Sequence, residues 1–330
     1  MTGIAAPAAI ALIASALLLA VIERALPPGF LAAKSNPRSN HDAPARQIGG
    51  LAVIPATLAA LLWGGGGSIA ATTALWLAAG TLILFVAGAV DDAGDLSAAA
   101  KTVPQVAAAT LTAYGMAPHD LPPLALLPAF AGSVLLVVAL VWAVNLVNFM
   151  DGLDWMVVAG IGVPAAIIGL SGLANLVDQT PAVVLAAILA AALVPFAVAN
   201  RPPARIFLGD SGSLAIGLVA GVIVLGLAAH HSIFVGLLPF AYFIVDSGAT
   251  LVQRTLKRKN IFAAHSEHAY QIAKRAGRPT LEVSLRVAGV SGLTAVLAVL
   301  ALTGALPPIA AFGLGYVAAI LLFLVMRRGR

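Results

Sequence analysis

The charged residues of this 330-residue chain leave long gaps between them, and those gaps constrain the fold more than any motif does. Apolar stretches of roughly 20 residues, the length that crosses a bilayer core as a helix, fall near residues 4–22, 48–63, 68–90, 102–117, 124–148, 155–174, 181–199, 212–229, 233–252, 283–303 and 308–326. Only 9% of the residues are charged and 61% are hydrophobic, where a soluble domain carries about a quarter charged residues. The stretches are rich in Ala, Leu, Val and Gly and lack the short alternation of barrel strands. The expected fold class is therefore all-α: a polytopic transmembrane helix bundle of about eleven spans, forming one domain over residues 1–330.

The basic residues orient that bundle. Alternate threading puts residues 23–47, 91–101, 149–154, 200–211, 253–282 and 327–330 on one side, and all 18 Lys and Arg fall there once Arg286, just inside a span end, is included. Positive residues stay cytoplasmic. The N-terminus is thus expected in the periplasm and the C-terminus, Arg327-Arg328-Gly329-Arg330, in the cytoplasm. The net charge of +5 reports topology; no soluble basic module is present to bind nucleic acid. The first stretch has no basic residue ahead of it and meets Arg24 behind it, so it reads as a span and not as a cleaved signal. Zero cysteines exclude disulfides and thiolate metal sites.

Four polar constellations interrupt the apolar pattern on the basic side. The first is Val90-Asp91-Asp92-Ala93-Gly94-Asp95, where like charges can gather only around something positive: a divalent cation, Lys101, or a proton on one carboxyl. Asn145, Asn148, Asp151 and Asp154 follow at a spacing of three, which lines one helical stripe. These side chains are too short to reach water from depth, so they are expected to face a common cavity, with polar contacts between packed helices as the plainer alternative. The third, Phe207-Leu208-Gly209-Asp210-Ser211-Gly212-Ser213, opens a span: its amides would attract an anion and Asp210 a cation, so a metal–phosphate pair would satisfy both. A simple N-cap is the alternative there. The fourth runs from Arg254, Lys257, Arg258 and Lys259 to His265-Ser266-Glu267-His268-Ala269-Tyr270-Gln271. Its histidines lack the His-Glu-x-x-His spacing of zinc hydrolases and read as donors to phosphate or sugar that titrate near neutral pH. The basic run also suits anionic lipid heads.

Taken together, these motifs resemble the polyprenyl-phosphate N-acetylhexosamine-1-phosphate transferases, glycosyltransferase family 4. The likeness starts at Asn36-Pro37-Arg38-Ser39-Asn40-His41-Asp42-Ala43-Pro44 and Gly49-Gly50. It continues through Asp91-Asp92 with Lys101 and Gln105, the Asn/Asp stripe at 145–154, residues 209–213, and Asp246 with Arg254. The ending His-x-x-His-Ala-Tyr-Gln is similar to the branch that starts O-antigen and related surface polysaccharides. The resemblance implies transfer of an N-acetylhexosamine-1-phosphate from a UDP-N-acetylhexosamine to undecaprenyl phosphate, with UMP released at the cytoplasmic face of the bacterial inner membrane. It implies Mg²⁺, or Mn²⁺, held by Asp210 with Asn148 as a second ligand, and Asp91 or Asp92 as acceptor of the lipid phosphate's proton. Substrate contacts carried over are Asn36, Arg38, His41, Arg46, Asp95, Lys101, Asn145, Asp151, Asp154, Arg254, His265 and His268. Membrane lipids are implied partners, a homodimer is left open, and Asp246 is either catalytic or structural. Two departures stand out: Arg46-Gln47-Ile48 precedes the Gly pair, and Glu267 replaces a small polar residue. An Asp-rich membrane prenyltransferase would show two related Asp-x-x-x-Asp motifs, which the Asn/Asp stripe and Gly-Asp-Ser-Gly-Ser fit poorly; an ion-coupled transporter would show polar groups at mid-bilayer, where the outward half offers only Asp120, Asp178 and histidines in turns.

Overall fold

With no water in the hydrocarbon core, a spanning segment must satisfy its own backbone, and the apolar stretches do so as helices. The computed structural model describes residues 3–27, 29–32, 45–64, 69–94, 96–116, 127–260 and 265–328. Among these the α-helices are α1 (Ala5–Ala25), α2 (Gly49–Gly64), α3 (Ala71–Gly94), α4 (Ala98–Gly115), α5 (Ala129–Met150), α6 (Val163–Leu173), α7 (Pro181–Ala199), α8 (Asp210–His230), α9 (Ile233–Leu237), α10 (Ala241–Leu256), α11 (Ala269–Arg275), α12 (Thr280–Leu302) and α13 (Pro308–Arg327). Seven of them, α1, α3, α5, α7, α8, α12 and α13, are long and apolar enough to cross a membrane. The protein is a polytopic, essentially all-α membrane protein.

The expected spans at 48–63 and 102–117 correspond to α2, of 16 residues, and α4, of 18. One other is locally distorted and one is broken. The stretch 155–174 is helical over residues 156–173, with a π-helical turn at Val158–Gly162 that runs directly into α6, where Pro164 has no N–H to give to the preceding turn. The stretch 233–252 divides into α9 and α10 around Pro239 for the same reason. A small departure from all-α is a parallel pairing of β1 (Arg46–Gln47) with β2 (Ile206–Phe207), in register Arg46 to Ile206 and Gln47 to Phe207. It ties the entry of α2 to the entry of α8.

Helices α7 and α8 are apolar around most of their circumference and lie innermost, as such helices must. Helix α1 packs on α2 and α7, where Ser15 donates to the Ala192 carbonyl at 2.7 Å. Helices α3 and α5 flank α8, α4 packs on α3 and α5, and α6 leads to α12 and α13. Close approach at the start of α8 depends on missing side chains. A Cβ on Gly50 would collide with the Gly212 backbone and lie 2.6 Å from Ser211 Oγ, and one on Gly88 would collide with the Asp210 backbone. The starts of α2 and α8 and the end of α3 therefore meet backbone to backbone, and the polar motifs carried there share one end of the bundle.

Candidate functional site

The site is built where α3 ends, α4 begins, α5 ends and α8 begins. At its centre is an ammonium. Lys101, in the first turn of α4, pairs with Asp91 Oδ2 and also donates to Asp210 Oδ2 at 3.2 Å. Asp91 is 8% exposed, and its other oxygen accepts the Leu96 amide at 2.6 Å. Asn148 of α5 donates from Nδ2 to Asp210 Oδ1 and to Ser213 Oγ, both at 2.9 Å. Lys101, one of the three positive species the sequence allowed between the acids, lies between Asp91 and Asp210.

Asp92 points elsewhere. Its Oδ1 accepts the Asp210 amide at 2.7 Å and its Oδ2 the Ser211 amide at 3.0 Å. The next two amides, of Gly212 and Ser213, return to the Gly209 carbonyl at 3.1 and 2.9 Å. The expected phosphate seat on the opening amides of α8 is thus already filled by protein oxygens. Gly209 sits at φ +77°, a conformation that favours glycine, and a Cβ there would stand 2.6 Å from Asp92 Oδ2.

The stripe at spacing three does not line one cavity. Helix α5 stops at Met150, and three-residue steps drift around a helix, so each member meets a different neighbour. The Asn145 amide pairs reciprocally with Gln105 of α4, at 2.7 and 3.3 Å, and donates to the Val141 carbonyl. That is a contact between packed helices, the plainer alternative. Asn148 reaches the centre, but as a hydrogen-bond donor to Asp210. Asp151, just past the helix end, is half-buried; burial, together with the carboxylates of Asp210, Asp92 and Asp154, pushes its pKa up to about 8. Asp154 accepts the Ala204 amide at 3.0 Å, and its carbonyl accepts from Ser284 Oγ at 2.6 Å. It fastens the α7–α8 connection and α12 to the end of α5.

Beside this centre lies the α10–α11 unit. Asp246 is fully buried and accepts five donors: Tyr242 and Thr250 hydroxyls, His268 Nδ1, and the Ala269 and Tyr270 amides at 2.9 and 3.3 Å. These bonds hold the start of α11 on α10. Tyr270 then donates to the Phe149 carbonyl at 2.9 Å, which seats α11 on α5. Two expected cations are corrected here. Arg254, 5% exposed, gives its guanidinium to Glu267 at 2.6 Å and to the Asn260 carbonyl at 2.5 Å. His265 stacks on His268 at 5.0 Å between ring centroids, and burial, with His268 and Arg254 close by, pulls its pKa down to about 4. It is neutral at pH 7 and does not titrate near neutrality. Arg46 likewise lies on the last carbonyls of α1, with Nη1 donating to Leu26 at 3.0 Å and Pro27 at 3.2 Å, instead of facing the acidic centre. Asn36, Arg38, His41 and Asp95 lie outside the described residues.

Residues 74–228, which contain the whole acidic centre, match the family model "Glycosyl transferase family 4". Over that segment the chain resembles glycosyl transferase family 4. Its relatives include a "Probable undecaprenyl-phosphate N-acetylglucosaminyl 1-phosphate transferase" of Bacillus subtilis (strain 168), 29% identical over 71% of the chain and 66% of the relative. A "Phospho-N-acetylmuramoyl-pentapeptide-transferase" of Deinococcus radiodurans is 35% identical over 48% of the chain and 46% of its own length. One of the same description from Mycobacterium avium (strain 104) is 29% identical over 54% and 58%. The chain thus spans about half to two thirds of the relatives it matches. Within the family segment the sequence missed the roles of Ser213, which accepts from Asn148, and of Asn200, whose Oδ1 accepts the Trp155 amide at 2.7 Å. Ser213 stood in the quoted motif; Trp155, at φ +63°, gave no sequence signal.

Proposed function

We propose that this protein transfers an N-acetylhexosamine-1-phosphate from a UDP-sugar to undecaprenyl phosphate, releasing UMP and forming the lipid-diphosphate sugar that starts a cell-surface glycan, an O-antigen or related polysaccharide. The observation that carries the reading is the Lys101 ammonium between Asp91 and Asp210, inside the segment that matches the family. The basic residues argue for a periplasmic N-terminus and a site at the cytoplasmic face, where nucleotide sugars are made.

The donor set suits Mg²⁺, or Mn²⁺. Asp91, Asp210 and the Asn148 amide offer only hard oxygens, and Mg²⁺ takes one or two carboxylates and keeps its waters. Among the described residues no three His, Cys, Asp or Glu side chains are grouped to hold a metal, so the ion would rest on two carboxylates and its own waters. Asp91 and Asp210 would hold the ion, with Asn148 orienting Asp210. Bound there, it supplies Lewis acidity and charge neutralisation to the diphosphate. Lys101 is the chain's own cation for the same charge, and its place at the start of α4 puts it beside any diphosphate that approaches Asp210.

Chemically, an oxygen of the lipid phosphate attacks the β-phosphorus of the UDP-sugar. The bond from that phosphorus to the bridging oxygen breaks, and UMP leaves with the electron pair. Direct attack is favoured over an aspartyl-phosphate intermediate because the lipid phosphate, mostly ionised near pH 7, is itself a nucleophile. Asp151, protonated near neutral pH, can sit close to phosphate oxygens without adding charge.

The test is UMP release from UDP-GlcNAc and other UDP-sugars by purified protein, with and without undecaprenyl phosphate and with EDTA. Acceptor-dependent, EDTA-sensitive UMP is expected. Asp210→Asn should lower it by about 10²–10³-fold, the scale of one preorganised electrostatic contact. Absence of acceptor-dependent UMP with every sugar removes the proposal.

A further inference from the structure

We infer that Asp92 is a positioning residue and takes no proton from substrate: it caps α8 from the end of α3 and so fixes where Asp210 points. This inference rests on the reading above for its activity arm. Both Asp92 oxygens are committed to the first two amides of α8, at 2.7 and 3.0 Å. A carboxylate whose two oxygens each face a backbone donor is turned toward the helix start and away from any acceptor that lies on the Lys101 side. The turn is shaped around it: Gly209 adopts φ +77° with Asp92 packed where a side chain would begin, and Gly88, one turn earlier on α3, lets the two backbones touch. Neighbouring aspartates thus divide the work. Asp91 faces the ammonium, and Asp92 holds the helix on which Asp210 is the first residue.

The molecule contains an independent copy of the device. Asp246, on α10, accepts the first two amides of α11, of Ala269 and Tyr270, again one to each oxygen. There the aspartate is fully buried, and the shared geometry is that of a cap supplied by a neighbouring helix.

The experiment compares Asp92→Asn and Asp92→Ala with wild type in detergent, reading amide hydrogen exchange over residues 208–214 alongside turnover and its pH profile. Asn keeps one acceptor oxygen and cannot take a proton; Ala keeps neither. As a cap, Asp92→Ala should speed exchange of the Asp210 and Ser211 amides by roughly tenfold or more, with exchange over residues 268–272 unchanged. Asp92→Asn should fall between, hold turnover within about tenfold of wild type, and keep the acid limb of the pH profile, because proton transfer was not removed. Two results overturn the inference: wild-type exchange at 210–211 in Asp92→Ala, or turnover in Asp92→Asn as low as in Asp92→Ala with those amides still protected. If Asp92→Ala does not fold, Asp92→Asn decides alone: turnover about 10²-fold or more below wild type with the 210–211 amides still protected overturns the inference. Failure of the transferase reading would show as absent UMP in wild type and would leave the exchange result standing.

Discussion

Two aspartates cap helices in this protein, and the surroundings of each decide what the cap is for. Asp246 sits in a closed pocket of Tyr242, Thr250, His268 and Tyr270, with no solvent exposure and five donors. Asp92 sits half-buried beside Asp91, Lys101 and Asp210, where the polar atoms are reached from one end of the bundle. In the α10–α11 unit five donors converge on Asp246, and α11 is fixed by the result. The α3–α8 junction is unfinished. Its carboxylates, Asp91, Asp92 and Asp210, outnumber its ammonium, Lys101, which leaves an excess of acidic groups at one end of the bundle. Identical backbone chemistry builds a strut in one place and an open electrostatic site in the other.

The sharpest way to break this comparison is at Asp246. Asp246→Ala leaves buried amides, hydroxyls and an imidazole without an acceptor, a loss of about 3–5 kcal/mol by the cost of orphaned buried groups. A large fall in thermal midpoint, with protein that survives purification keeping its KM for UDP-sugar, is the expected pattern. A fall in turnover with an unchanged midpoint would make Asp246 part of the site and erase the distinction.

A smaller effect separates the two regions by pH. Asp151 belongs to the acidic centre, and its folded pKa near 8 lies above the ordinary 3.8. Between those values the folded protein keeps a proton that the unfolded chain has released, so stability falls as pH rises through that window, by at most about 1.4 kcal/mol per pH unit. Asp151→Asn should flatten the decline in thermal midpoint between pH 6 and 8. Adding Mg²⁺ to wild type should flatten it too, since a cation nearby favours the ionised form. An equal decline in wild type and Asp151→Asn would place the proton elsewhere.

How much of this was legible in the sequence depends on which force sets each feature. Helix class followed from uninterrupted apolar length, because backbone satisfaction in a bilayer leaves few alternatives. The π-turn ahead of Pro164 and the break at Pro239 were readable in principle, yet the surrounding apolar runs masked them. Asp91, Lys101, Asn148 and Asp210 come together as their motifs implied, because short polar side chains at helix ends have few places to go. Asn145, Asp154, Arg254 and Arg46 did not reach the centre. Each was captured by a partner chosen by packing between elements distant in sequence: Gln105, Ala204, Glu267 and the end of α1. A one-dimensional stripe cannot show where a helix stops, and α5 stopping at Met150 is what scattered it. The division of labour between Asp91 and Asp92 was likewise invisible, since adjacent residues on a helix point about 100° apart and only the position of α8 says which one meets it.

The smallest expected effect sharpens the boundary of the strut. Glu267 accepts from both Arg254, at 2.6 Å, and Lys259, at 3.0 Å. The two pairs look alike in distance but differ in burial: Arg254 is 6% exposed by its side chain and Lys259 47%. An exposed pair is screened and costs side-chain entropy to hold, so Lys259→Ala should change stability by less than about 1 kcal/mol and vanish into noise at high salt. Arg254→Ala removes a buried partner and should cost clearly more. Equal effects in thermal midpoint would mean that Glu267 is anchored from the solvent side, and that the strut extends to the surface instead of ending at Arg254.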